Sequence, residues 1–426
     1  MDQATPHPHF EPFRGSNQAP LDPESEADII VIGAGPAGLA TAACLVQAGH
    51  SPLVLDRAND VASSWRHHYT RLHLHTVKTH SALPGMDFPD DAPRYVPRQG
   101  VVDYLVAYAR RHGIEPEFGQ TVTAIEPRQG PGAPWQVVLG NGRLISANHV
   151  VVATGANQRP RMPTLPGEDV YQGRLLHSRS YRNAAPFAGR RVLVVGMGNT
   201  GAEIALDLVE HGVRAALSVR SPVNIVHREV MGRPSQLSSI QLSKLPAPLG
   251  DALATLLRNL TVGDLRRHGL RTPAISPLRQ LRAQARQEAD RVLDEAREQG
   301  KTPVIDVGTL HRIVSGDIHV YPGVQTLTSG GVRFTDGTVH PFDAVLLATG
   351  YDAALSELFP YTPLPLDGTG LPTTLSGEGP LEGVHFVGFD MRQPGGLRRT
   401  IAQQAPRVAE RIGQRQSRAA RGQRSV

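Results

Sequence analysis

Two glycine-rich fingerprints on one chain constrain its fold more than any other feature. The first is DIIVIGAGPAG at residues 28–38, and the second is RVLVVGMGNTG at residues 191–201. Each follows an apolar, β-branched run and opens a stretch of helical composition, so each predicts a strand, a tight turn and a helix. The predicted fold class is α/β, with two Rossmann-like dinucleotide-binding domains.

The glycines in each fingerprint have separate tasks. The first glycine permits the turn, the second lets the backbone approach a pyrophosphate, and the third lets the helix pack on the strand. The pyrophosphate then rests on the helix N-terminus, where free N–H groups and the helix dipole favour an anion. The predicted cofactor-binding residues of the two fingerprints are Gly33, Gly35, Pro36, Ala37 and Gly38, and Gly196, Gly198, Asn199, Thr200 and Gly201.

The residue that ends the strand after each helix indicates which nucleotide binds. Asp56, followed by Arg57, lies 18 residues after Gly38. A carboxylate there accepts hydrogen bonds from ribose hydroxyls and repels a 2′-phosphate, which predicts FAD. Arg220 lies 19 residues after the last fingerprint glycine, and arginine suits a 2′-phosphate, which predicts NADPH. Ser221 is a second candidate donor to that phosphate, and an exposed structural arginine is the alternative for Arg220.

An internal repeat supports two related units. Asn141-Gly142 and Asp336-Gly337 each predict a type I′ hairpin turn, and each is followed by an apolar strand ending in Ala-Thr-Gly. The strand ends add four predicted cofactor contacts, which are Gly155, Ala348, Thr349 and Gly350. Near the C-terminus, a strand enters a turn at Gly388 and a helix opens near residue 399. That helix N-terminus is predicted to face the flavin pyrimidine edge.

The domain boundaries follow from these units. The prediction is a flexible N-terminal segment at 1–26, an FAD-binding domain at 27–165 and 342–412, an NADPH-binding domain at 166–341, and a basic flexible tail at 413–426.

The NADPH-binding domain carries a predicted helical insertion at about residues 240–300. Ser276-Pro277 and Gly300 would bound one amphipathic helix, packed on its own subunit or, alternatively, serving as an interface or lid. Residues 249–260 are another helix candidate, which would line a substrate passage.

Charge and composition exclude several classes of partner. The net charge is +5, but four of the arginines lie in the tail, so no nucleic acid partner is expected and an anionic partner of the tail is the alternative. No apolar run reaches about 18 residues, so no membrane span is expected. The N-terminus lacks the pattern of a secretory signal. Cys44 is the single cysteine, which excludes a CxxC redox pair. A cytoplasmic protein is expected, with a homodimer as a further expectation.

Other stretches resemble a known family. The segment YQGRLLHSRSY at 171–181 matches the FxGxxxHxxx[YFW] fingerprint of class B flavoprotein monooxygenases, with Tyr171 in place of Phe. The second fingerprint and the ATGY stretch at 348–351 are similar to flavin-containing monooxygenases. Five further stretches resemble plant YUCCA-type monooxygenases: WRHHYTRLHLHTVKTHSAL at 65–83, YVPR at 95–98, VRS at 219–221, HREVMG at 227–232 and GKTPVIDVG at 300–308. The resemblance covers roughly residues 27–412.

The resemblance implies an FAD- and NADPH-dependent monooxygenase that takes O2 and a small organic substrate. NADPH would reduce FAD, and a C4a-(hydro)peroxyflavin would transfer one oxygen atom. The substrate would be an aromatic 2-oxo acid such as indole-3-pyruvate, an N or S nucleophile, or a ketone. An NADPH oxidase, an NADPH-dependent flavoprotein reductase of the disulfide-reductase sort and a non-catalytic dinucleotide sensor remain alternatives.

The resemblance also suggests residues near the flavin. His75 and Lys78 occupy the stretch where many flavin-containing monooxygenases carry Asn-x-x-Lys, so they are the catalytic candidates. Either would stabilise peroxide charge or a substrate carboxylate; the alternative for Lys78 is a pair with a structural acid. His73 and His75 alternate as on a strand, which predicts one shared face.

Further expectations concern contacts around these candidates. The FAD contacts would include Ser64, Trp65 and Val122, with a core aromatic as the alternative for Trp65. His177 and Tyr181 would orient NADPH. The five histidines between residues 67 and 80 lack matching carboxylate or thiolate ligands, so no metal site is expected.

Overall fold

The computed structural model describes residues 24–127, 135–283 and 302–423. The α-helices are α1 (Pro36–Gln47), α2 (Ser63–Arg66), α3 (Arg98–Arg111), α4 (Asn199–Glu210), α5 (Ser235–Leu242), α6 (Ala247–Val262), α7 (Pro277–Ala283), α8 (Thr309–Val314), α9 (Leu355–Leu358) and α10 (Leu397–Gln423). Short 3₁₀ turns lie at Lys78–His80, Ser178–Ser180, Ala185–Phe187, Arg266–His268 and Gly379–Leu381. In these three ranges no helix combines the length and apolarity needed to cross a bilayer.

The strands alternate with these helices along the chain. They are β1 (Glu24–Ile32), β2 (Leu53–Leu55), β3 (Val122–Pro127), β4 (Trp135–Leu139), β5 (Leu144–Val152), β6 (Arg159–Pro160), β7 (Arg174–His177), β8 (Arg191–Val195), β9 (Arg214–Ser218), β10 (Ile225–His227), β11 (Glu229–Val230), β12 (Arg233–Pro234), β13 (Val304–Asp306), β14 (His319–Tyr321), β15 (Val324–Thr328), β16 (Gly331–Phe334), β17 (Val339–Pro341), β18 (Ala344–Leu347), β19 (Tyr351–Asp352) and β20 (Val384–Phe386).

The first large sheet holds the first fingerprint. Its strand order is β2-β1-β5-β4-β3, and β20 pairs with β5 in parallel. Strands β1, β2 and β5 are also parallel, and α1 provides the crossover from β1 to β2. The apolar face of α1 is buried against α10, whose Ile401, Val408 and Ile412 are almost fully buried. The last helix therefore covers the first fingerprint unit, which confirms that the chain returns to it.

The second large sheet repeats this arrangement. Its order is β14-β9-β8-β18-β7, and every pairing is parallel. Helix α4 links β8 to β9 as α1 links β1 to β2. The predicted domain boundary at residue 342 falls before β18, yet both neighbours of β18 belong to the second sheet. The sheet pairing therefore extends the second unit through Leu347, because this strand completes the parallel core between β8 and β7.

Both predicted hairpins are confirmed, but the predicted type I′ turn is wrong in both, because that turn needs positive φ at two successive residues and only the glycine of each pair has it. Asn141 and Gly142 lie between the antiparallel strands β4 and β5, and Gly142 has φ +86°. Asp336 and Gly337 join β16 to β17, and Gly337 has φ +84°. Positive φ at the second turn residue is the conformation that favours glycine in both places.

Both predicted flexible ends are partly wrong. Strand β1 begins at Glu24, inside the segment predicted to be flexible up to residue 26. Helix α10 runs to Gln423, through most of the predicted tail. The helix continues because Arg415 pairs with Glu382 at 3.1 Å and Gln416 hydrogen-bonds Asp28, anchoring it to the first unit.

The predicted insertion is helical where the structure describes it. Ser276 Oγ accepts a hydrogen bond from the backbone N–H of Arg279 at 2.9 Å, so Ser276 caps α7 as predicted. The remainder of that predicted helix, with Gly300, lies outside the described residues. The helix predicted at 249–260 is part of α6. Leu249, Leu256 and Leu260 are 50%, 54% and 75% exposed, so these side chains do not enclose a passage.

Candidate active site

The first fingerprint is built as a tight turn against an open helix end. Gly33 has φ +113°, and its N–H donates to the carbonyl of Leu55 at 2.7 Å. A Cβ on Gly38 would lie 1.7 Å from the carbonyl oxygen of Gly33, whereas a Cβ on Gly35 would meet nothing within 4 Å. No side chain caps α1. The helix N-terminus therefore has both the space and the N–H groups that a pyrophosphate needs.

The second fingerprint reproduces this geometry. Gly196 has φ +101°, and a Cβ on Gly201 would lie 2.0 Å from the carbonyl oxygen of Gly196. A Cβ on Gly198 would again meet nothing within 4 Å, and no side chain caps α4. Asn199 is already engaged, because its Oδ1 accepts from the N–H of Ile305 at 2.7 Å. Both helix ends fit the phosphates of a dinucleotide.

The predicted loop residues gather around these two helix ends. A Cβ on Gly33 would lie 2.6 Å from the carbonyl oxygen of Ala153, just before Gly155, and a Cβ on Gly388 would lie 2.7 Å from Cβ of Ala37. In the second unit, a Cβ on Gly196 would lie 2.8 Å from the carbonyl oxygen of Ala348.

The residues after Ala348 are held from outside the fingerprint. Thr349 Oγ1 donates to the carbonyl of Arg161 at 2.5 Å, and the carbonyl of Gly350 accepts from Nε2 of His177 at 3.1 Å. These loops converge on the carboxyl ends of the parallel strands, where dinucleotides bind in such sheets.

The two strand-end residues differ in their surroundings. Asp56 accepts hydrogen bonds from the N–H groups of Ala34 at 2.6 Å and Ala58 at 2.8 Å, so it is fixed in the fingerprint turn. Arg57 beside it is exposed. Arg220 is also exposed, and no hydrogen bond or ion pair of its side chain is found among the described residues. The end of β9 in the second unit therefore presents a cationic side chain that has no partner among the described residues.

Three other predicted FAD contacts surround the first fingerprint. Helix α2 carries Ser64 and Trp65, and its start is docked by the N–H of Ala62, which donates to the carbonyl of Ala34 at 3.2 Å. Trp65 packs against the buried core and Ser64 is exposed. Val122 begins β3, close to the loop whose backbone bonds Asp56. Their contact with FAD stays a prediction.

His73 and His75 have different partners. His73 is exposed, in an isolated bridge, and its Nδ1 lies 2.6 Å from the carbonyl oxygen of Arg71. His75 bonds the carboxylate of Glu203 through Nε2. Their shared face stays a prediction.

Glu203 is a functional candidate that sequence reasoning missed. It lies on α4, its side chain is 4% exposed, and it pairs with His75 across the two units. Burial, and then the charge of Glu203, hold the pKa of Tyr69 well above its usual value. Glu203 and Asp207, four residues apart on the fingerprint helix, were the available signal, because carboxylates on the packed face of a helix are rare without a partner.

Burial also shifts the pKa of a histidine close to Glu203. Burial lowers the pKa of His68 to about 4, and the nearby charge of Glu203 opposes that shift only partly. His68 is therefore neutral at pH 7, and its ring packs edge-on against Tyr69, with centroids 5.1 Å apart. The region around Glu203 thus combines two buried carboxylates, Glu203 and Asp207, with the aromatic rings of His68, Tyr69 and Tyr181.

Lys78 is held by the backbone. Its Nζ donates to the carbonyls of Pro89 at 3.1 Å, Asp90 at 2.6 Å and Ala92 at 2.7 Å. An ammonium group has three donors, so these contacts satisfy it fully. They contradict a pair with a structural acid side chain, and they favour a role in holding the 89–92 loop over a role in chemistry.

The remaining candidates take structural positions. The histidines near His75 bond separate partners, and within the described ranges no group of three or more potential ligand side chains is arranged to hold a metal. Tyr181 donates to Oδ2 of Asp207 on α4 at 2.5 Å, so it fastens the connection to the second unit. Cys44 is buried in α1, and burial raises the pKa of its thiol to about 11, which makes it an unreactive packing residue.

Comparison with known proteins relates these features to one protein family. The family model described as FMO-like, flavin-binding monooxygenase-like, matches residues 26–362. The chain is 40% identical over 324 residues to the rice indole-3-pyruvate monooxygenase YUCCA1, covering 76% of both proteins. It is 37% identical over 393 residues to YUCCA6 of Arabidopsis thaliana, covering 90% of this chain and 89% of that protein.

Solved structures share the fold. A flavin-containing monooxygenase from Stenotrophomonas maltophilia matches with a TM-score of 0.65 at 20% identity, over 91% of this chain and 98% of that one. A cyclohexanone monooxygenase with bound ε-caprolactone matches with a TM-score of 0.66 at 20% identity, over 93% and 89% of the two chains. The chain belongs to the flavin-binding monooxygenase-like family and is a flavin-dependent monooxygenase.

Proposed function

We propose that this monooxygenase converts an aromatic 2-oxo acid of the indole-3-pyruvate class into the carboxylic acid shorter by one carbon. The observation that carries the proposal is the identity of 40% and 37% to relatives named indole-3-pyruvate monooxygenases, over 76% and 90% of the chain. The second match covers 90% of this chain and 89% of the relative, so the likeness extends over most of both proteins.

The reaction balances with O2 and NADPH as the co-substrates. One oxygen atom enters the new carboxylate, the bond between the two carbonyl carbons breaks, and CO2 leaves. The other oxygen atom becomes water, with two electrons from NADPH and one proton from solvent. Bound FAD supplies the oxygen activation, which amino-acid side chains cannot perform alone.

The protein's contribution is to bind the two nucleotides and to orient them. We assign FAD to the first fingerprint, with Asp56 toward the ribose, and NADPH to the second, with Arg220 toward the 2′-phosphate. The open space before Gly35 and Gly198 supports both placements. The fixed Asp56 carboxylate repels a second phosphate, so the two nucleotides are kept apart by charge as well as by position.

We further assign His75 to the substrate end of the flavin site, where its Nδ1 edge would meet the substrate carboxylate. Glu203 supports this assignment because it holds Nε2 of His75 from the opposite unit. A ring fixed at one nitrogen by a buried carboxylate presents its other nitrogen in a defined direction. Lys78 acts through the 89–92 loop rather than on substrate.

The test is product analysis under ¹⁸O2 with indole-3-pyruvate and, as matched controls, an aromatic sulfide and a cyclic ketone. The expected result is indole-3-acetate carrying one ¹⁸O atom, with one CO2 released per NADPH consumed. Oxygenated sulfide or ketone without turnover of the 2-oxo acid would overturn the substrate assignment. Hydrogen peroxide from all three, with no oxygenated product, would contradict oxygen transfer to these substrates.

Two further predictions concern the whole molecule. A homodimer and a cytoplasmic location are expected, and size-exclusion chromatography with light scattering and cell fractionation test them directly. Neither is needed for the reaction above.

A further inference from the structure

Arg271 lies beside the edge of the second unit that Arg220 occupies. Its Nη2 donates to the backbone carbonyl of Arg220 at 2.8 Å. Its own carbonyl accepts from the N–H of Val223 at 2.8 Å. The side chain and the backbone of Arg271 are therefore both tied to the short segment that follows β9.

This edge also belongs to the fingerprint. The N–H of Gly196 donates to the carbonyl of Ser218, the last residue of β9, at 2.9 Å. Arg220 follows two residues later, and Arg271 is bonded to it. One continuous run of backbone contacts therefore links the phosphate turn, the strand end and both arginines.

The charges at this edge are unbalanced. Arg220 and Arg271 are both exposed, and no acidic side chain pairs with either one in the described part of the chain. The Arg271 guanidinium lies against the backbone of Arg220, so an anion held by the Arg220 side chain would be attracted by both positive charges. Arginine presents a planar fork of donors that matches phosphate oxygens, so a phosphate is the anion that this pair fits.

We infer that Arg271 is a second ligand of the 2′-phosphate of NADPH, acting with Arg220. The inference rests on the placement of NADPH at the second fingerprint. It also explains why the chain returns from the α5–α6 helices to the nucleotide edge before α7. In this view the insertion contributes to the choice of NADPH over NADH.

The experiment measures binding to the FAD-loaded enzyme by calorimetry, with 2′,5′-ADP as the probe that carries the phosphate and 5′-AMP as the probe that lacks it. Arg271→Ala should weaken 2′,5′-ADP binding by roughly tenfold or more, since a charge-assisted hydrogen bond contributes that much. Binding of 5′-AMP should stay within about twofold of the unmodified protein. Arg271→Lys should fall between them, because it keeps the charge but loses the fork.

Arg267→Ala is the matched control, because it removes one exposed positive charge from the same segment, which lies in the 3₁₀ turn before Arg271. It should leave 2′,5′-ADP binding within about twofold. An equal loss in Arg267→Ala, or an equal loss of 5′-AMP binding in Arg271→Ala, would overturn the inference, as would unchanged 2′,5′-ADP binding.

Arg220→Ala separates this inference from the nucleotide placement. If Arg220→Ala weakens 2′,5′-ADP binding and Arg271→Ala does not, only the role of Arg271 fails. If neither variant changes it, the placement of NADPH at this edge fails as well.

Discussion

The two fingerprint units are alike in backbone and opposite in what they present to a ligand. Both close their turns at a positive-φ glycine and leave the helix N-terminus open. The first unit then satisfies its strand-end carboxylate internally, through Ala34 and Ala58, while the second leaves Arg220 without a partner among the described residues. In the proposed assignment the shared geometry accepts a pyrophosphate in each unit, and the strand-end charge selects which nucleotide carries it.

The glycines give the largest expected effect. Gly38→Ala places a methyl group 1.7 Å from the backbone oxygen of Gly33, which cannot move aside, so the free energy of unfolding should fall by about 3 kcal/mol or more. Gly35→Ala meets no atom within 4 Å, so it should fold normally and instead lose FAD from the space before the helix. Denaturant unfolding and flavin content measure the two effects. Equal destabilisation by both variants would contradict the assigned division of tasks.

The strand-end charges give the next effect. Arg220→Ala should lower kcat/KM for NADPH by roughly 10- to 100-fold, the value of one or two charge-assisted hydrogen bonds, and leave that for NADH nearly unchanged. Asp56→Ala is the counterpart in the first unit. It should reduce FAD retention without changing the preference for NADPH over NADH. A changed coenzyme preference in Asp56→Ala would contradict the assignment of FAD to the first unit and NADPH to the second.

The contact between the units provides a third test. Glu203→Ala leaves Nε2 of the partly buried His75 ring without its acceptor, which should cost about 1–3 kcal/mol of folding free energy. Glu203→Gln keeps an acceptor oxygen and should cost less. The ratio of oxygenated product to NADPH consumed should fall in both variants, because His75 loses its fixed orientation. An unchanged ratio would mean that Glu203 serves stability alone.

Histidines in the two units should lose their stabilising contributions on opposite sides of about pH 6.5. Burial lowers the pKa of His385 to about 3 and also lowers the pKa of His149, so both bind protons more readily when unfolded. Stability should therefore fall as pH drops below about 6.5, by up to about 1.4 kcal/mol per pH unit for each histidine. In the second unit a hydrogen bond to Asp306 raises the pKa of His227. Its contribution is present below about pH 6.5 and is lost as pH rises through the folded-state pKa.

His385→Leu separates these terms. The free energy of unfolding should then fall less steeply between pH 6.5 and 4.5. This range lies between the pKa of His385 in the unfolded chain, about 6.5, and its pKa in the folded protein, about 3. His227→Leu should leave that slope nearly unchanged, because the contribution of His227 is constant below about pH 6.5, and should instead remove the loss of unfolding free energy that accompanies a rise in pH above 6.5. Chemical denaturation at several pH values measures both slopes, and identical slopes in the two variants would refute the assignment.

Local sequence determined the repeated parts of this protein. Glycines at defined spacings, apolar strands and Asn-Gly or Asp-Gly turns act over a few residues, so both fingerprints, both hairpins and the α7 cap were predictable. The family was predictable for the same reason, since its motifs are short and contiguous.

Only the tertiary structure decided the contacts between distant segments. Glu203 meets His75 across 128 residues, and Arg271 meets Arg220 across 51. The same long-range packing keeps the predicted tail helical, assigns β18 to the second sheet and satisfies Lys78 with backbone carbonyls. Such contacts depend on how whole units pack and bury charge, which no local spacing of residues specifies.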